Sequence, residues 1–257
     1  MPYLLVLERA SGTHKHSVQQ ALGLLTSTCS VVCLFPQVHS NKLRLAALEV
    51  PGFIFLWCLG AQRKGMVISM EETILDQAIL FAVKAHAGAT RRDGHTPYIL
   101  HCTETAAIAA TMTADLEILA AAVLHDVIED TDVTAADLQK AFGERITQLV
   151  VILSENKRPQ MPPEDTWLIR KEEAIDTVEQ SQDPAIKIIC LADKLSNLRG
   201  IYRDHQIYHE DLWDMFHQKS RAKQGWYYTR LEQALSCLST TAAFQEFCRL
   251  RQELFTS

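Results

Sequence analysis

The chain has 257 residues, of which 47% are hydrophobic and 22% are charged, so it carries enough apolar side chains for a sizeable core, and a disordered or fibrous protein is excluded. Ten glycines, eight prolines and 7% aromatic residues favour packed helices over a strand-rich sandwich. The formal net charge of −6 argues against a protein whose main partner is nucleic acid, although it leaves room for a local basic pocket.

The cysteines and the apolar stretches indicate a cytoplasmic protein. Seven cysteines are scattered along the chain without a Cys-x-x-Cys pair, which is typical of reduced thiols and not of a disulfide framework. Uninterrupted apolar stretches such as residues 53–59 are far shorter than the roughly 20 residues that a membrane helix needs. We therefore expect no membrane partner, and the oligomeric state stays open.

Residues 1–65 differ from the rest of the chain. They contain six basic residues and two acidic ones, whereas the whole chain is acidic. They show no sustained helical period, and Met66 and Met70 stand just before the first convincing helix. Two interpretations stay open: translation begins near Met66, or the segment is a genuine small extension that packs on the main domain. We predict an N-terminal extension over residues 1–65 and a main domain over residues 66–257.

From Glu71 onward the apolar pattern predicts helices. Apolar residues recur at three- and four-residue steps from Leu75, and a glycine-rich loop follows at residues 88–97. Thr134 and Asp137 have the spacing of a helix cap. Further helices are predicted over residues 102–112, 115–128, 183–200, 211–238 and 241–254. The predicted fold class is therefore all-α, a bundle of about eight to ten helices.

A cluster of polar side chains lies at residues 125–131, which read His-Asp-Val-Ile-Glu-Asp-Thr. On a helix that turns about 100° per residue, His125 and Glu129 project about 40° apart, and Asp126 and Asp130 do the same. The apolar residues before this segment indicate that it faces a partly buried cleft. Three carboxylates buried together without a cation would be unfavourable, so the segment predicts a divalent-metal site. A solvated acidic helix end is the alternative.

Two further elements favour the metal site. Asp193 follows a largely apolar run, where a carboxylate needs a partner, and Asn197 comes one helical turn later on the same face. His101 opens the second predicted helix. Two histidines and two aspartates form a nitrogen and oxygen donor set that suits Mn²⁺ or Fe²⁺ better than a thiolate-type zinc site. Cys102 would point elsewhere on a helix, so we interpret it as a core residue.

Three segments in order resemble a known family. Residues 95–101 read HTPYILH, residues 125–131 read HDVIEDT, and residues 191–199 read LADKLSNLR. This order resembles the HD-domain metal phosphohydrolases, and in particular the RelA/SpoT-type guanosine 3′,5′-bis(diphosphate) hydrolase domain. That group includes stand-alone small alarmone hydrolases such as the metazoan SpoT homologue. The resemblance covers about residues 72–235.

The resemblance implies a role for each matching position. It implies Mn²⁺, or another divalent transition metal such as Fe²⁺, as the cofactor, with the ligands His101, His125, Asp126 and Asp193. It implies Glu129 and Asp130 as the acid/base pair. It implies contacts with a small phosphorylated nucleotide from Arg91, Arg92, Ser154, Lys157 and Asn197.

The reaction implied by the resemblance is hydrolysis of the 3′-pyrophosphate bond of guanosine 3′,5′-bis(diphosphate), which releases GDP or GTP and pyrophosphate. Two alternatives stay open. The same centre could hydrolyse another nucleotide, such as the 2′-phosphate of NADPH or a nucleoside phosphate. A catalytically silent HD fold could instead bind a nucleotide or a partner protein as a sensor.

The sequence departs from the family pattern in three places. Cys102 stands where the family usually has proline, Ser196 replaces a histidine of the third motif, and the region after Gly200 is individual. The first two differences leave the implied ligands intact. The third bears on substrate identity.

Overall fold

The structure, a computed structural model, describes residues 72–256, without the side chains of residues 163 and 164, and the backbone of two strands nearer the N-terminus. Contacts divide the chain into two units, Met1–Ser69 and Met70–Ser257. In the first unit, β1 (Ala47–Val50) pairs antiparallel with β2 (Phe53–Leu56), and the intervening sequence is the turn-favouring pair Pro-Gly. The sequence did not predict this hairpin. The predicted boundary at residue 65 and the alternative start site lie outside the described residues.

The second unit is helical. Within residues 72–256, one isolated bridge pairs Thr90 with Pro97, and every other regular element is a helix. Two short 3₁₀ helices, His209–Met215 and Ser236–Leu238, stand before and after α8. The nine α-helices of these residues are α1 (Ile74–Ala85), α2 (Ile99–Ala109), α3 (Leu116–Leu124), α4 (Val127–Asp130), α5 (Ala135–Leu153), α6 (Pro163–Gln180), α7 (Pro184–Tyr208), α8 (Arg221–Ala234) and α9 (Ala242–Phe255). The prediction of an all-α fold with about eight to ten helices is confirmed.

Local signals set several helix ends. Thr134 accepts a hydrogen bond from the N–H of Asp137, whose carboxylate bonds back to Thr134, so α5 begins with the predicted cap. α7 begins at the predicted cap residue Asp183, which accepts from the N–H of Ala185. Inside α5, Gly143 has a φ of +80°, which glycine adopts without strain, and the helix kinks there.

Several predicted helix boundaries were wrong because tertiary packing overrides the local signal. α2 spans Ile99–Ala109 instead of residues 102–112. α3 ends at Leu124 instead of residue 128, and a separate short helix, α4, follows it. α7 continues through Gly200 to Tyr208, where the buried side chain of Ile201 anchors the additional turns. One helix was predicted over residues 211–238, but the structure has three separate elements there: the end of the first 3₁₀ helix, then α8, then the second 3₁₀ helix. α6 was not predicted.

α7 is the central helix of the second unit. It packs against α2, α3 and α9, and its side chains at Leu191, Leu195 and Leu198 are fully buried. Each such side chain contributes about 1.5–3 kcal/mol through its removal from water. Because α2 and α3 both contact α7, polar side chains on the three facing surfaces are brought together. Among the described residues, no helix is long and apolar enough to cross a membrane.

Candidate metal centre and catalytic site

The four residues predicted as metal ligands lie where α2, α3 and α7 meet. His101 is in the first turn of α2, His125 caps the C-terminus of α3, Asp126 precedes α4, and Asp193 lies in α7. Relative exposures of 4% for His101, 4% for His125 and 8% for Asp193 show that the centre is buried. We refer to these four residues as the ligand cluster.

The structure brings the ligand cluster within coordination range. Ligand atoms of His101, His125 and Asp193 all lie within 4.8 Å of one another. Asp193 Oδ1 is 3.3 Å from His101 Nε2 and 3.6 Å from His125 Nε2. Asp126 Oδ2 is 3.5 Å from His101 Nε2 and 3.0 Å from His125 Nε2. Each of the two carboxylates therefore lies within 3.6 Å of both imidazole Nε2 atoms.

Hydrogen bonds on the outer side of each imidazole orient it for metal binding. His125 Nδ1 lies 2.8 Å from the carbonyl oxygen of Ala122, which can only accept, so Nδ1 carries the proton. Ser196 Oγ donates its one proton to Glu104 Oε2 at 2.7 Å, so it must accept from His101 Nδ1, which is 2.8 Å away. In the neutral form, each Nε2 atom therefore presents a lone pair to the ligand cluster.

A divalent cation fits this donor set. His125 Nε2 is buried and makes no hydrogen bond within residues 72–256, although it lies close to Asp126. A buried nitrogen lone pair without a partner is unfavourable, and a metal ion supplies the missing partner. Imidazole nitrogens and carboxylate oxygens are common ligands of divalent metal ions in proteins. The thiol of Cys102 is fully buried, and this burial raises its pKa to about 12, as expected of a core residue.

The carboxylates of the ligand cluster attract positive charge. Burial opposes protonation of His125, but Asp126 and Asp193 outweigh that effect and raise its pKa well above the usual value. Burial also opposes ionisation of Asp193, yet Lys194 and His125 hold the pKa of this carboxyl well below its usual range. The two shifts are reciprocal: the carboxylates favour the charged imidazole, and the cations favour the charged carboxylate.

Glu129 and Asp130 have different environments beside the ligand cluster. The backbone N–H of Glu155 donates to Glu129 Oε2 at 3.2 Å, whereas Asp130 Oδ1 accepts from Lys157 Nζ at 2.5 Å. Burial, together with the charges of Asp126 and Glu155, raises the pKa of Glu129 to about 7. Glu129 is therefore suited to exchange a proton near neutral pH, and Asp130 is an ion-pair partner of Lys157.

Two cavities border the ligand cluster. The smaller cavity, of about 190 Å³, is lined by His125, Asp126 and Asp193 and also by Glu129. The larger cavity, of about 630 Å³, reaches His101 and is bordered by three arginines. Both cavities are therefore lined in part by residues of the ligand cluster.

The HD-domain family profile matches residues 78–215, which is more than half of the chain and includes the whole ligand cluster. The chain belongs to the HD-domain family. The predicted family is confirmed by this match.

Relatives of the HD domain include large enzymes of alarmone metabolism. The chain is 41% identical over 132 residues to the guanosine-3′,5′-bis(diphosphate) 3′-pyrophosphohydrolase of Vibrio cholerae, which is 49% of this chain and 18% of that protein. It is 39% identical over 132 residues, with the same coverage of each chain, to the bifunctional (p)ppGpp synthase/hydrolase SpoT of Escherichia coli K12. The match thus spans less than a fifth of the length of these relatives.

Two solved structures are similar to the HD domain. One is a metazoan orthologue of SpoT described as hydrolysing ppGpp, with a TM-score of 0.57 and 24% identity over 70% of this chain and 95% of that one. The other is the protein lmo0812 of Listeria monocytogenes EGD-e, with a TM-score of 0.53 and 27% identity over 61% of this chain and 94% of that one. The likeness to the metazoan structure shows the fold.

The residues predicted to contact substrate occupy distinct places around the HD domain centre. Arg91 Nη2 donates to Asn197 Oδ1 at 2.8 Å, and Asn197 Nδ2 donates to Asp193 Oδ1 at 2.6 Å. Arg91 is thus linked to the ligand cluster through one amide. Ser154 lines the smaller cavity, and its hydroxyl donates to the carbonyl oxygen of Val150 at 2.8 Å.

The other two residues predicted to contact substrate, Arg92 and Lys157, each form an ion pair within the HD domain. The guanidinium of Arg92 pairs with Asp204 at 2.8 Å and lies 4.0 Å from the ring centre of Phe216. Lys157 is half exposed and pairs with Asp130, so its charge is held beside the predicted acid/base residues. The structure therefore brings Arg91, Asn197 and Lys157 towards the centre, and it neutralises Arg92 with an internal carboxylate.

Sequence reasoning missed three residues that position the site. Tyr98 donates from its hydroxyl to Asp126 Oδ2 at 2.6 Å, and Lys194 Nζ lies 2.7 Å from Asp193 Oδ2. Tyr98 lies within the segment HTPYILH and Lys194 within LADKLSNLR, so both motifs contained these residues without a role being assigned to them. Glu155, whose backbone N–H bonds to Glu129, follows α5 and gave no local signal.

Proposed function

We propose that this HD domain is a divalent-metal-dependent phosphohydrolase whose substrate is guanosine 3′,5′-bis(diphosphate), from which it removes the 3′-pyrophosphate. One observation carries the proposal: the Nε2 atoms of two buried imidazoles face the Asp193 carboxylate, and outer hydrogen bonds hold both rings in that orientation. The raised pKa of Glu129, which lines the same cavity as His125 and Asp193, adds a group suited to proton exchange. The names of the bacterial relatives, a guanosine-3′,5′-bis(diphosphate) 3′-pyrophosphohydrolase and a (p)ppGpp synthase/hydrolase, support the choice of substrate. The full set of proposed site residues lies within residues 91–197.

The proposed cofactor is Mn²⁺, with Fe²⁺ as the other ion that suits the donor set. His101, His125, Asp126 and Asp193 would hold it. When bound, such an ion supplies Lewis acidity, which polarises a phosphoryl oxygen and lowers the pKa of water from 15.7 towards about 7. The outer hydrogen bonds to Ala122 and Ser196 hold the two imidazoles in the tautomer that this role requires.

Glu129 is the proposed proton acceptor. As water attacks the phosphorus next to the ribose 3′-oxygen, a water proton passes to the Glu129 carboxylate, a phosphorus–oxygen bond forms and the bond to the 3′-oxygen breaks. The proton then passes to the 3′-oxygen, so the products are the nucleotide with a free 3′-hydroxyl and pyrophosphate. Lys157 and Arg91 offset negative charge on the substrate, since both cations lie beside the reacting centre.

A nucleotide panel tests the proposed function. The full chain is incubated with guanosine 3′,5′-bis(diphosphate), NADPH or nucleoside monophosphates, with Mn²⁺, Fe²⁺ or a chelator, and released pyrophosphate and phosphate are measured. We expect pyrophosphate from the guanosine compound with metal and none with the chelator. Turnover of NADPH or a nucleoside phosphate alone would contradict the substrate assignment. No turnover of any compound with either metal would contradict the enzymatic assignment and favour a sensor.

A further inference from the structure

The Ser196 hydroxyl of α7 lies between the imidazole of His101 and a carboxylate of the same helix as His101. Ser196 Oγ is 2.8 Å from His101 Nδ1 and 2.7 Å from Glu104 Oε2. His101 and Glu104 are three residues apart in α2, so both side chains project to the face of α2 that packs against α7. Ser196 and His101 are buried, so bulk water does not compete for the bond between them.

The single hydroxyl proton of Ser196 can go to only one of these two acceptors. A hydrogen bond to a carboxylate is roughly twice as strong as one between neutral groups, so the proton goes to Glu104. Ser196 then accepts from His101 Nδ1, and His101 Nε2 keeps its lone pair. Without Glu104, the same hydroxyl is free to rotate and donate to Nδ1, which would place the imidazole proton on Nε2.

The carboxylates of the ligand cluster act on His101 in the opposite direction. Asp193 Oδ1 and Asp126 Oδ2 lie 3.3 and 3.5 Å from His101 Nε2, so both attract a proton to that nitrogen. A protonated Nε2 cannot bind a metal ion. A negative charge on the Nδ1 side of the ring therefore favours the tautomer that binds metal, and Glu104 supplies this charge through Ser196.

The Glu104 carboxylate is held by an ion pair that extends to α9. Arg199 Nη1 donates to Glu104 Oε1 at 3.2 Å, which leaves Oε2 to accept from Ser196. The same guanidinium donates to Glu246 in α9, from Nε at 2.8 Å and from Nη2 at 2.7 Å. This bidentate pair fixes the plane of the guanidinium, and with it the position of Glu104.

Ser196 is one of the places where the chain departs from the family pattern, in which a histidine stands at this position. A serine hydroxyl can either donate or accept. The direction of its bond to His101 therefore depends on the residue on its other side, which is Glu104 in this chain.

We propose that Glu104 is a positioning residue, which acts through Ser196 to keep the His101 proton on Nδ1 and the Nε2 lone pair free for the metal ion. Arg199 and Glu246 support this role, since they fix the Glu104 carboxylate. The effect on metal binding rests on the proposed function, whereas the tautomer of His101 is a property of the metal-free chain.

The tautomer of His101 in the chelator-treated full chain tests the role of Glu104 without metal or substrate. Proton–nitrogen correlation spectra distinguish a protonated from an unprotonated ring nitrogen, and His101→Gln identifies the signals of His101 by their loss. We expect a protonated Nδ1 in the parent protein and a substantial fraction of unprotonated Nδ1 in Glu104→Ala. Glu253→Ala is the matched control, because Glu253 is a glutamate of α9 paired with Arg249. A parent-like His101 spectrum in Glu104→Ala would overturn the proposal.

A double-mutant cycle on Mn²⁺ affinity tests whether Glu104 acts through Ser196. The affinities of the parent, Glu104→Ala, Ser196→Ala and the double variant are measured by calorimetry. We expect Glu104→Ala to weaken Mn²⁺ binding about tenfold in the parent and to have no further effect in the Ser196→Ala background. Equal effects in both backgrounds would contradict the action through Ser196. If the parent binds no Mn²⁺, the proposed metal-dependent function fails, while the tautomer test of Glu104 still stands.

Glu104→Gln keeps the size of the side chain, so it tests the proposal even if Glu104→Ala does not fold. The amide oxygen of glutamine still accepts from Ser196, but the negative charge is lost. We therefore expect a Mn²⁺ affinity between that of the parent and that of Ser196→Ala. A parent-like affinity together with a parent-like His101 spectrum would contradict the need for the charge of Glu104.

Discussion

The ligand cluster and the arginine cleft, which is formed by Arg91, Arg203 and Gly200, border one cavity but differ in burial and in hydrogen bonding. The ligand cluster is buried, and a hydrogen bond on its outer side orients each imidazole. In the arginine cleft, the exposed Arg203 has no such bond within residues 72–256, and Gly200 contributes only space. Buried groups keep one geometry, whereas exposed charges adapt to a ligand and are screened by salt. We therefore expect substitutions in the ligand cluster to change activity more than substitutions at Arg91 or Arg203.

Substitution of a buried ligand should have the largest effect on activity. Asp193→Asn keeps the size of the side chain but removes the negative charge that the cation needs, so we expect kcat/KM to fall at least about 1,000-fold. Mn²⁺ affinity, measured by calorimetry, should fall as well. Asp176→Asn is the control, since Asp176 is an exposed residue of α6. An Asp193→Asn variant with unchanged activity would break the assignment of the ligand cluster.

Glu129→Gln tests the proton acceptor. It retains the side-chain shape, and loss of a general base should lower kcat about 100- to 10,000-fold. The pKa of Glu129 is raised to about 7 by burial, and its carboxylate form accumulates above that pH. A bound cation would offset the negative charge of Asp126, so the parent rate should rise with pH below about 7. This rise should be absent from the residual rate of the variant. The same pH profile in both proteins would contradict the role of Glu129.

The same substitution has a predictable effect on the stability of metal-free protein. In the folded state the Glu129 carboxyl stays protonated up to a pH of about 7, whereas the pKa of an unperturbed glutamate is 4.5. The free energy of unfolding therefore decreases as the pH rises from 4.5 to about 7. Glu129→Gln removes this loss. We expect its free energy of unfolding, measured in urea, to exceed that of the parent by about 3 kcal/mol at pH 8 and by much less at pH 5. A constant difference between the two pH values would contradict the buried-carboxyl interpretation.

Ser196→Ala should have a smaller effect, because Ser196 positions a ligand without binding the metal. Its hydroxyl accepts from His101 Nδ1, and removal of this bond releases the imidazole tautomer. We expect Mn²⁺ affinity to fall about 10- to 100-fold, with activity restored by a higher Mn²⁺ concentration. Activity that is lost but not restored by metal would place Ser196 in another role.

A helix cap away from both regions should affect stability alone. The Thr241 hydroxyl accepts from the N–H of Phe244 at 3.2 Å and begins α9. Thr241→Ala should lower the free energy of unfolding by about 1 kcal/mol, measured in urea, and leave kcat/KM per folded molecule unchanged. A change in kcat/KM would show that α9 contributes to the site.

The helix caps show which features local sequence can predict. The bonds between Thr134 and Asp137 join residues three positions apart, whose separation any helix start fixes, so the spacing was sufficient. The end of α3 at Leu124 was not predictable in this way, since the apolar period continues past it. His125 and Asp126 instead occupy the junction of two helices, and this places both side chains in the ligand cluster.

The sequence by itself determined the all-α fold, the family and the chemical identity of the proposed ligands, because composition, helical period and ordered motifs are properties of the chain. The tertiary structure alone decided that Ser196 would orient His101, 95 positions away, and that Arg91 and Arg203 would meet above Gly200. The physical reason is the separation along the chain between the residues that contact each other. Contacts within a few residues follow from helix geometry, whereas contacts between distant residues depend on how α2, α3 and the loop before α2 pack against α7.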